Sequence, residues 1–97
     1  MKHYYVYILA SKTNGTLYTG VTGNLANKIE LHKKGIQEGF TKRFGIHKLV
    51  WFQVFEDIRE TLLAEKRIKK WNLEWKLNLI EKTNPNWDDL SNQVGWY

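Results

Sequence analysis

Two short runs of aromatic and β-branched residues flank an Asn-Gly pair near the start of the chain. Residues 3–10 read His-Tyr-Tyr-Val-Tyr-Ile-Leu-Ala, residues 16–21 read Thr-Leu-Tyr-Thr-Gly-Val, and Asn14-Gly15 lies between them. Asn and Gly both tolerate positive φ, so the pair is a strong hairpin turn signal, and the runs beside it read as antiparallel strands. The first run is apolar on both faces, which predicts a central strand. The turn would pair Ser11 with Tyr18 and place Tyr18 on one face with Leu9, Tyr7 and Tyr5. A register slip of two residues on one strand preserves that parity, because side chains alternate with period two. Tyr7 and Tyr18 are therefore expected to present two hydroxyls to the same side of a sheet.

The rest of the chain supplies what such a hairpin packs against. Thr22-Gly23-Asn24 reads as a helix cap. A helix is predicted over roughly 25–34, with Leu25, Ile29 and His32 at helical spacing and Gly35 as its C-terminal cap. Residues 36–47 read as a loop and residues 48–55, Lys-Leu-Val-Trp-Phe-Gln-Val-Phe, as a third strand. A long helix is expected from Ile58 to about Trp71, then a second around Glu74 to Lys82, closed by Asn84-Pro85. The tail, with Trp87, Leu90 and Trp96, is too apolar to hang free and is expected to pack back. With 97 residues and no repeats, residues 1–97 read as a single domain. The expected class is α+β: a three-stranded antiparallel sheet flanked by helices in the order β-β-α-β-α-α.

Composition narrows the partners. The chain has no cysteine, which excludes disulfides and Cys-ligated zinc. Its N-terminus lacks an uncharged run of signal-peptide length, and no segment approaches the length of a membrane span, so the expected place is the cytoplasm, away from membranes. The formal charge of +5 suits a polyanionic partner.

Three elements carry chemistry. The tyrosine pair is the first. Lys28 and His32, four residues apart on one helix face, are the second, and offer a cation for phosphate and an imidazole for a proton. The third is Glu65, on the long helix. Ile58, Leu62, Ile68, Trp71 and Trp75 define a broad inward arc there, and Glu65 falls within it. A carboxylate on an apolar side is costly unless paired or metal-bound, and Lys69, one turn on, offers the pairing. Each element alone is also what an ordinary core or solvated face contains. Together they match the needs of phosphodiester cleavage: an activated water, neutralised phosphorane-like charge and a hard divalent ion held by one carboxylate. Lys33, Lys34, Lys42, Arg43, Lys66, Arg67, Lys69 and Lys70 are candidate nucleic-acid contacts, and nearby Trp and Tyr rings could stack on unpaired bases.

In this arrangement the chain resembles the GIY-YIG nuclease superfamily. Tyr5-Val6-Tyr7 stands where Gly-Ile-Tyr would be, and Tyr18-Thr19-Gly20 where Tyr-Ile-Gly would be, at a similar separation. Asn24-Leu25, Lys28-Ile29 and Glu30-Leu31-His32 resemble the pattern of the family's helix. Glu65, in Ala64-Glu65-Lys66-Arg67-Ile68-Lys69-Lys70-Trp71, resembles its metal-binding glutamate. The ending Asn84-Pro85-Asn86-Trp87-Asp88-Asp89-Leu90 is similar to that of small stand-alone bacterial members. The resemblance spans residues 4 to about 90 and includes the N-terminal domain of the excinuclease C subunit. It implies a metal-dependent endonuclease acting on DNA, structured or damaged, in a repair-like role. By likeness Glu65 holds one Mg²⁺ or Mn²⁺. One of the tyrosines, Tyr7 in the first place, helps deprotonate the attacking water, with Tyr18 or His32 orienting it or relaying the proton. Lys28 stands where the family has Arg, which keeps the charge without the bidentate fork. The alternative is a non-catalytic DNA- or RNA-binding module. With no base-reading helix or separate targeting domain, a protein partner could supply targeting.

Overall fold

The computed structural model describes residues 3–34 and 43–96. The sheet contains β1 (Tyr4–Ala10), β2 (Leu17–Thr22) and β3 (Lys48–Phe55). Its order is β2-β1-β3 and both pairings are antiparallel, so β1 is central as its two apolar faces require. Between β1 and β2 runs a loop longer than the Asn14-Gly15 turn alone. Gly15 N donates to Lys12 O at 2.9 Å and Ser11 N to Thr16 O at 3.0 Å. Only Asn14 takes positive φ, at 56°, among the two residues of the expected turn. Tyr18 consequently opposes Leu9, not Ser11, a slip of two residues that keeps Tyr7 and Tyr18 on one face.

Helices cover both faces. On one lie α1 (Leu25–Lys33) and a terminal 3-10 helix (Leu90–Trp96), enclosing Tyr5, Tyr7, Leu9, Leu25, Ile29, Leu49 and Val94. On the other lie α2 (Ile58–Lys70) and α3 (Leu73–Thr83), enclosing Val6, Ile8, Val50, Trp51, Ile68, Ile80 and Trp87. Each helix begins on a side-chain cap. Asn24 accepts from Asn27 N at 3.1 Å, Asp57 from Arg59 N at 2.8 Å, and Asn72 from Trp75 N at 2.9 Å. Lys34 caps the end of α1; the predicted Gly35 cap, most of the predicted 36–47 loop and Lys42 lie outside the described residues.

A β-bulge in β3 opposes Ile8 to Trp51 and Leu9 to Leu49. Val50, the extra residue, turns with Trp51 into the α2–α3 core. Buried Asn84 serves this irregular stretch: its amide donates to Val50 O at 3.1 Å and Asp88 O at 2.9 Å, and it accepts from Asp88 N at 3.0 Å. The tail folds back as expected. Trp87 is buried at a φ of 56°, a costly conformation for a bulky side chain. Its ring packs in the core and its indole N–H donates to Glu81 at 2.8 Å, which holds it there.

The inward face of α2 keeps Ile68 and Trp71 of the predicted arc, which pack in or against the core, but not the rest. Its inward residues are Thr61, Ala64, Glu65 and Ile68, at i, i+3, i+4 and i+7, while Ile58 and Leu62 are exposed. Trp75 on α3 is exposed as well. The small side chains of Thr61 and Ala64 lie inward beside Glu65 and Ile68 where α2 packs over β1 and β2. Thr61 removes its polar cost by donating its hydroxyl to Asp57 O at 2.7 Å.

Candidate active site

Tyr7 on β1 and Tyr18 on β2 lean together over the backbone of Gly20, which opposes Tyr7. A Cβ at position 20 would lie 2.6 Å from the Tyr7 hydroxyl and 3.1 Å from the Tyr18 ring. Glycine is the residue that admits both rings there. His32, from the buried side of α1, completes a three-ring cluster. Its ring centre lies 6.5 Å from that of Tyr7 and 5.9 Å from that of Tyr18, and the tyrosines are 6.3 Å apart. Nδ1 of His32 is buried and has no hydrogen-bond partner among the described residues.

The other predicted residues divide into two groups. Lys28 lies one turn before His32, close enough for its charge to act on the imidazole. Glu65 lies on α2, which packs against β2 and β1, and its charge acts on the Tyr7 phenol. Its side chain is 18% exposed and pairs with Lys69 at 3.3 Å, so the partnering expected one turn on is present. The remaining cations lie elsewhere. Lys33 is paired with Asp89 and Lys34 with Glu30 at 2.8 Å. Arg43 lies over the Phe44 ring at 5.6 Å. Lys66, Arg67 and Lys70 line a hollow on the outer side of α2 with Leu63.

Electrostatics assign a protonation state to each end of the cluster. Burial, then Tyr18 and Glu65, push the Tyr7 phenol well above its ordinary value of 10.0. Burial, reinforced by Lys28, pushes His32 below its ordinary value of 6.5. At neutral pH the cluster thus contains a protonated phenol and a neutral imidazole, a proton donor beside a proton acceptor.

Asp89 holds the end of α1 in place, a role that no sequence pattern signals. Asp89 accepts from Leu49 N at 3.3 Å and Ser91 N at 3.0 Å, and binds the Ser91 hydroxyl and the Lys33 ammonium. It thereby ties β3, the tail and the end of α1 that presents His32. Burial pushes its carboxyl up, but the bonds from Lys33 and Ser91 outweigh this and leave it below its ordinary 3.8. A lowered folded pKa contributes stability that is full above the unfolded pKa and lost as pH falls through the folded one. Asp89→Asn is expected to cost roughly 1 kcal/mol at pH 7, held down by solvent screening of a half-exposed pair. The gap to wild type should close in denaturant melts as pH falls through the lowered pKa of Asp89; a gap that persists unchanged in acid would assign the loss to packing.

Two phenols and an imidazole thus cluster on one face of the sheet, with the charges of Lys28 and Glu65 acting on His32 and Tyr7 respectively. The profile of the GIY-YIG catalytic domain matches residues 3–78. The chain is 38% identical over 90 residues to a UPF0213 protein of Clostridium perfringens, covering 93% of this chain and 96% of that one. It is 33% identical over 79 residues to a UPF0213 protein of Pediococcus pentosaceus, covering 81% and 82%. The solution structure of a UPF0213 protein from Bacillus halodurans superimposes with a TM-score of 0.57 at 26% identity, over 90% of this chain and 92% of that one. The chain belongs to the GIY-YIG family, a nuclease family, and its relatives include the small UPF0213 proteins of bacteria. Among the described residues no helix is long and apolar enough to cross a membrane.

Proposed function

We propose that this chain is a divalent-metal-dependent endonuclease that hydrolyses phosphodiester bonds in DNA, with residues 1–97 acting as one catalytic domain in the cytoplasm. The observation that carries the reading is the convergence of the Tyr7, Tyr18 and His32 rings at 5.9–6.5 Å beside the field of Glu65.

Among the described residues no three His, Cys, Asp or Glu side chains form a ready-made metal cage. A single partly buried carboxylate fits a hard ion such as Mg²⁺ or Mn²⁺, which is held by one or two carboxylates, waters and substrate phosphate. Glu65 is the residue that would hold it. When bound, the ion supplies Lewis acidity toward phosphate and water and offsets the negative field that Glu65 imposes on Tyr7.

The residues of the chain do the rest. The Tyr7 oxygen takes the proton of the attacking water as its own proton passes to neutral His32, directly or through Tyr18. The Lys28 ammonium stabilises charge building on the phosphate oxygens. The ammonium lacks the guanidinium fork, so Lys28→Arg is compatible with equal or faster turnover. With no base-reading element among the described residues, sequence preference is expected to be weak, as for a repair-like enzyme acting on structured DNA or one targeted by a protein partner.

The test is cleavage of labelled single-stranded, duplex and branched DNA with Mg²⁺ or Mn²⁺ and with chelator. Metal-dependent cutting is expected, with Tyr7→Phe slower by about 10²–10⁴-fold, the usual contribution of a positioned acid–base group. Salt-sensitive binding without cutting under any metal would leave a binding module on a nuclease fold.

A further inference from the structure

The corner where α2 meets α3 is a surface the cleavage chemistry does not use. Trp71 ends α2 and Trp75 opens α3, and their rings meet edge to face at 5.8 Å. Trp75 is 57% exposed, an unusual placement for the largest apolar side chain. The pair walls a groove of about 230 Å³ whose other lining residues are Asn78, Leu79 and Lys82. A neighbouring hollow shares Trp71 and Leu79 with it and adds Arg67. A third, beyond Arg67, is lined by Leu63, Lys66 and Lys70. Every charged residue lining these three hollows is a cation.

We propose that this corner is a second nucleic-acid contact, a platform on which an unpaired base of single-stranded DNA stacks on Trp75 while its phosphates follow the cations of α2. The inference rests on the reading of the chain as a DNA-acting domain and adds where, and in what form, the strand is held. Charge complementarity selects a polyanion as the occupant. The exposed indole selects a single strand, because duplex bases offer no free face to stack on. The winding of the helix connects the corner to the tyrosine cluster. At about 100° per residue, Lys69, Lys66, Lys70, Arg67 and Trp71 follow one another round α2, starting from Glu65. A strand leaving the cleft at Glu65 passes Lys69, which is paired with Glu65, then Lys66, Lys70 and Arg67, which line the hollows, and arrives at the indole pair.

The experiment is an anisotropy titration of the full chain against a labelled homothymidine strand and a hairpin duplex, in chelator so that cutting plays no part. Trp75→Leu keeps an apolar side chain and removes the stacking face. It is expected to weaken single-strand binding by about tenfold, within the range a base–aromatic stack supplies, and to leave duplex binding nearly unchanged. Trp75→Phe should recover part of the loss. Replacing Lys66 and Lys70 by Ala should flatten the salt dependence by about 0.7 for each phosphate partner removed. Single-strand affinity indifferent to Trp75→Leu, an equal loss on strand and duplex, or no strand binding by the wild type would each overturn the proposal. A chain that binds the strand through Trp75 and never cuts would uphold it and overturn the nuclease reading. A chain that cuts but ignores Trp75 would overturn this proposal alone.

Discussion

Glu65→Gln is expected to lower cleavage by about 10³-fold or more while leaving the protein folded, because the loss of several kcal/mol of electrostatic transition-state stabilisation translates into that factor. Glutamine has the shape of glutamate, so the packing of Thr61, Ala64 and Ile68 against the sheet should be unaffected. The structural loss is confined to the Lys69 pair, in which one partner is half exposed. Such i,i+4 pairs contribute about 0.3–0.5 kcal/mol, and the melting temperature should move by only a few degrees. Three readouts separate this from a general defect. Calorimetric binding of Mn²⁺ should disappear. DNA affinity in chelator should hold or rise, since one negative charge is gone. The Tyr7 phenol, relieved of the Glu65 field, should titrate at lower pH than in wild type. Cutting at the wild-type rate would remove Glu65 from the mechanism.

The parts of this site that local pattern dictates were legible in the sequence. Alternation in two strands placed Tyr7 and Tyr18 on one face despite a wrong pairing of Ser11 with Tyr18, because a slip of two residues cannot change the face. Helical spacing from the Asn24 cap similarly set Lys28 and His32 on one side of α1. Glu65 was placed for an imperfect reason. Of the predicted arc Ile58, Leu62, Ile68, Trp71 and Trp75, Ile68 and Trp71 do pack inward, while Ile58, Leu62 and Trp75 are exposed and Thr61 and Ala64 complete the inward stripe. Two arcs of a helix compete there, and hydrophobicity favours the one with larger side chains. Packing decides otherwise: Thr61 and Ala64 lie inward beside Ile68 where the helix packs over β1 and β2. The Asp89 anchor was out of reach for a different reason. It joins Lys33 to a residue 56 positions away, and no periodicity records an interaction of that separation. Trp75 belongs with these cases: its exposure, read only from the fold, turns a residue assigned to the core into a candidate stacking platform.

Gly20→Ala is the change expected to harm activity most for the smallest chemical alteration. The added methyl would lie 2.6 Å from the Tyr7 hydroxyl and 2.7 Å from its ring carbon, well inside contact distance. The β2 backbone at this point is paired to β1, with Gly20 directly opposite Tyr7, so it cannot retreat without breaking the ladder. The phenol must therefore swing away, and Tyr7 is 1% exposed, with neighbours on every side. Overpacking of this kind costs about 1–3 kcal/mol, a loss that a folded domain of this size survives. Catalysis does not share that tolerance, because a displacement of about 1 Å at a reacting group costs on the order of 10²-fold. Gly20→Ala should thus resemble Tyr7→Phe in rate while retaining the phenol, and should bind Mn²⁺ and DNA as wild type does. Gly23, where an added Cβ meets nothing within 4 Å, is the control: Gly23→Ala should leave turnover unchanged. Equal rates for the two alanine variants would mean that the position of the Tyr7 hydroxyl over Gly20 is irrelevant to cleavage, and the proton path would then have to run through Tyr18 and His32 alone.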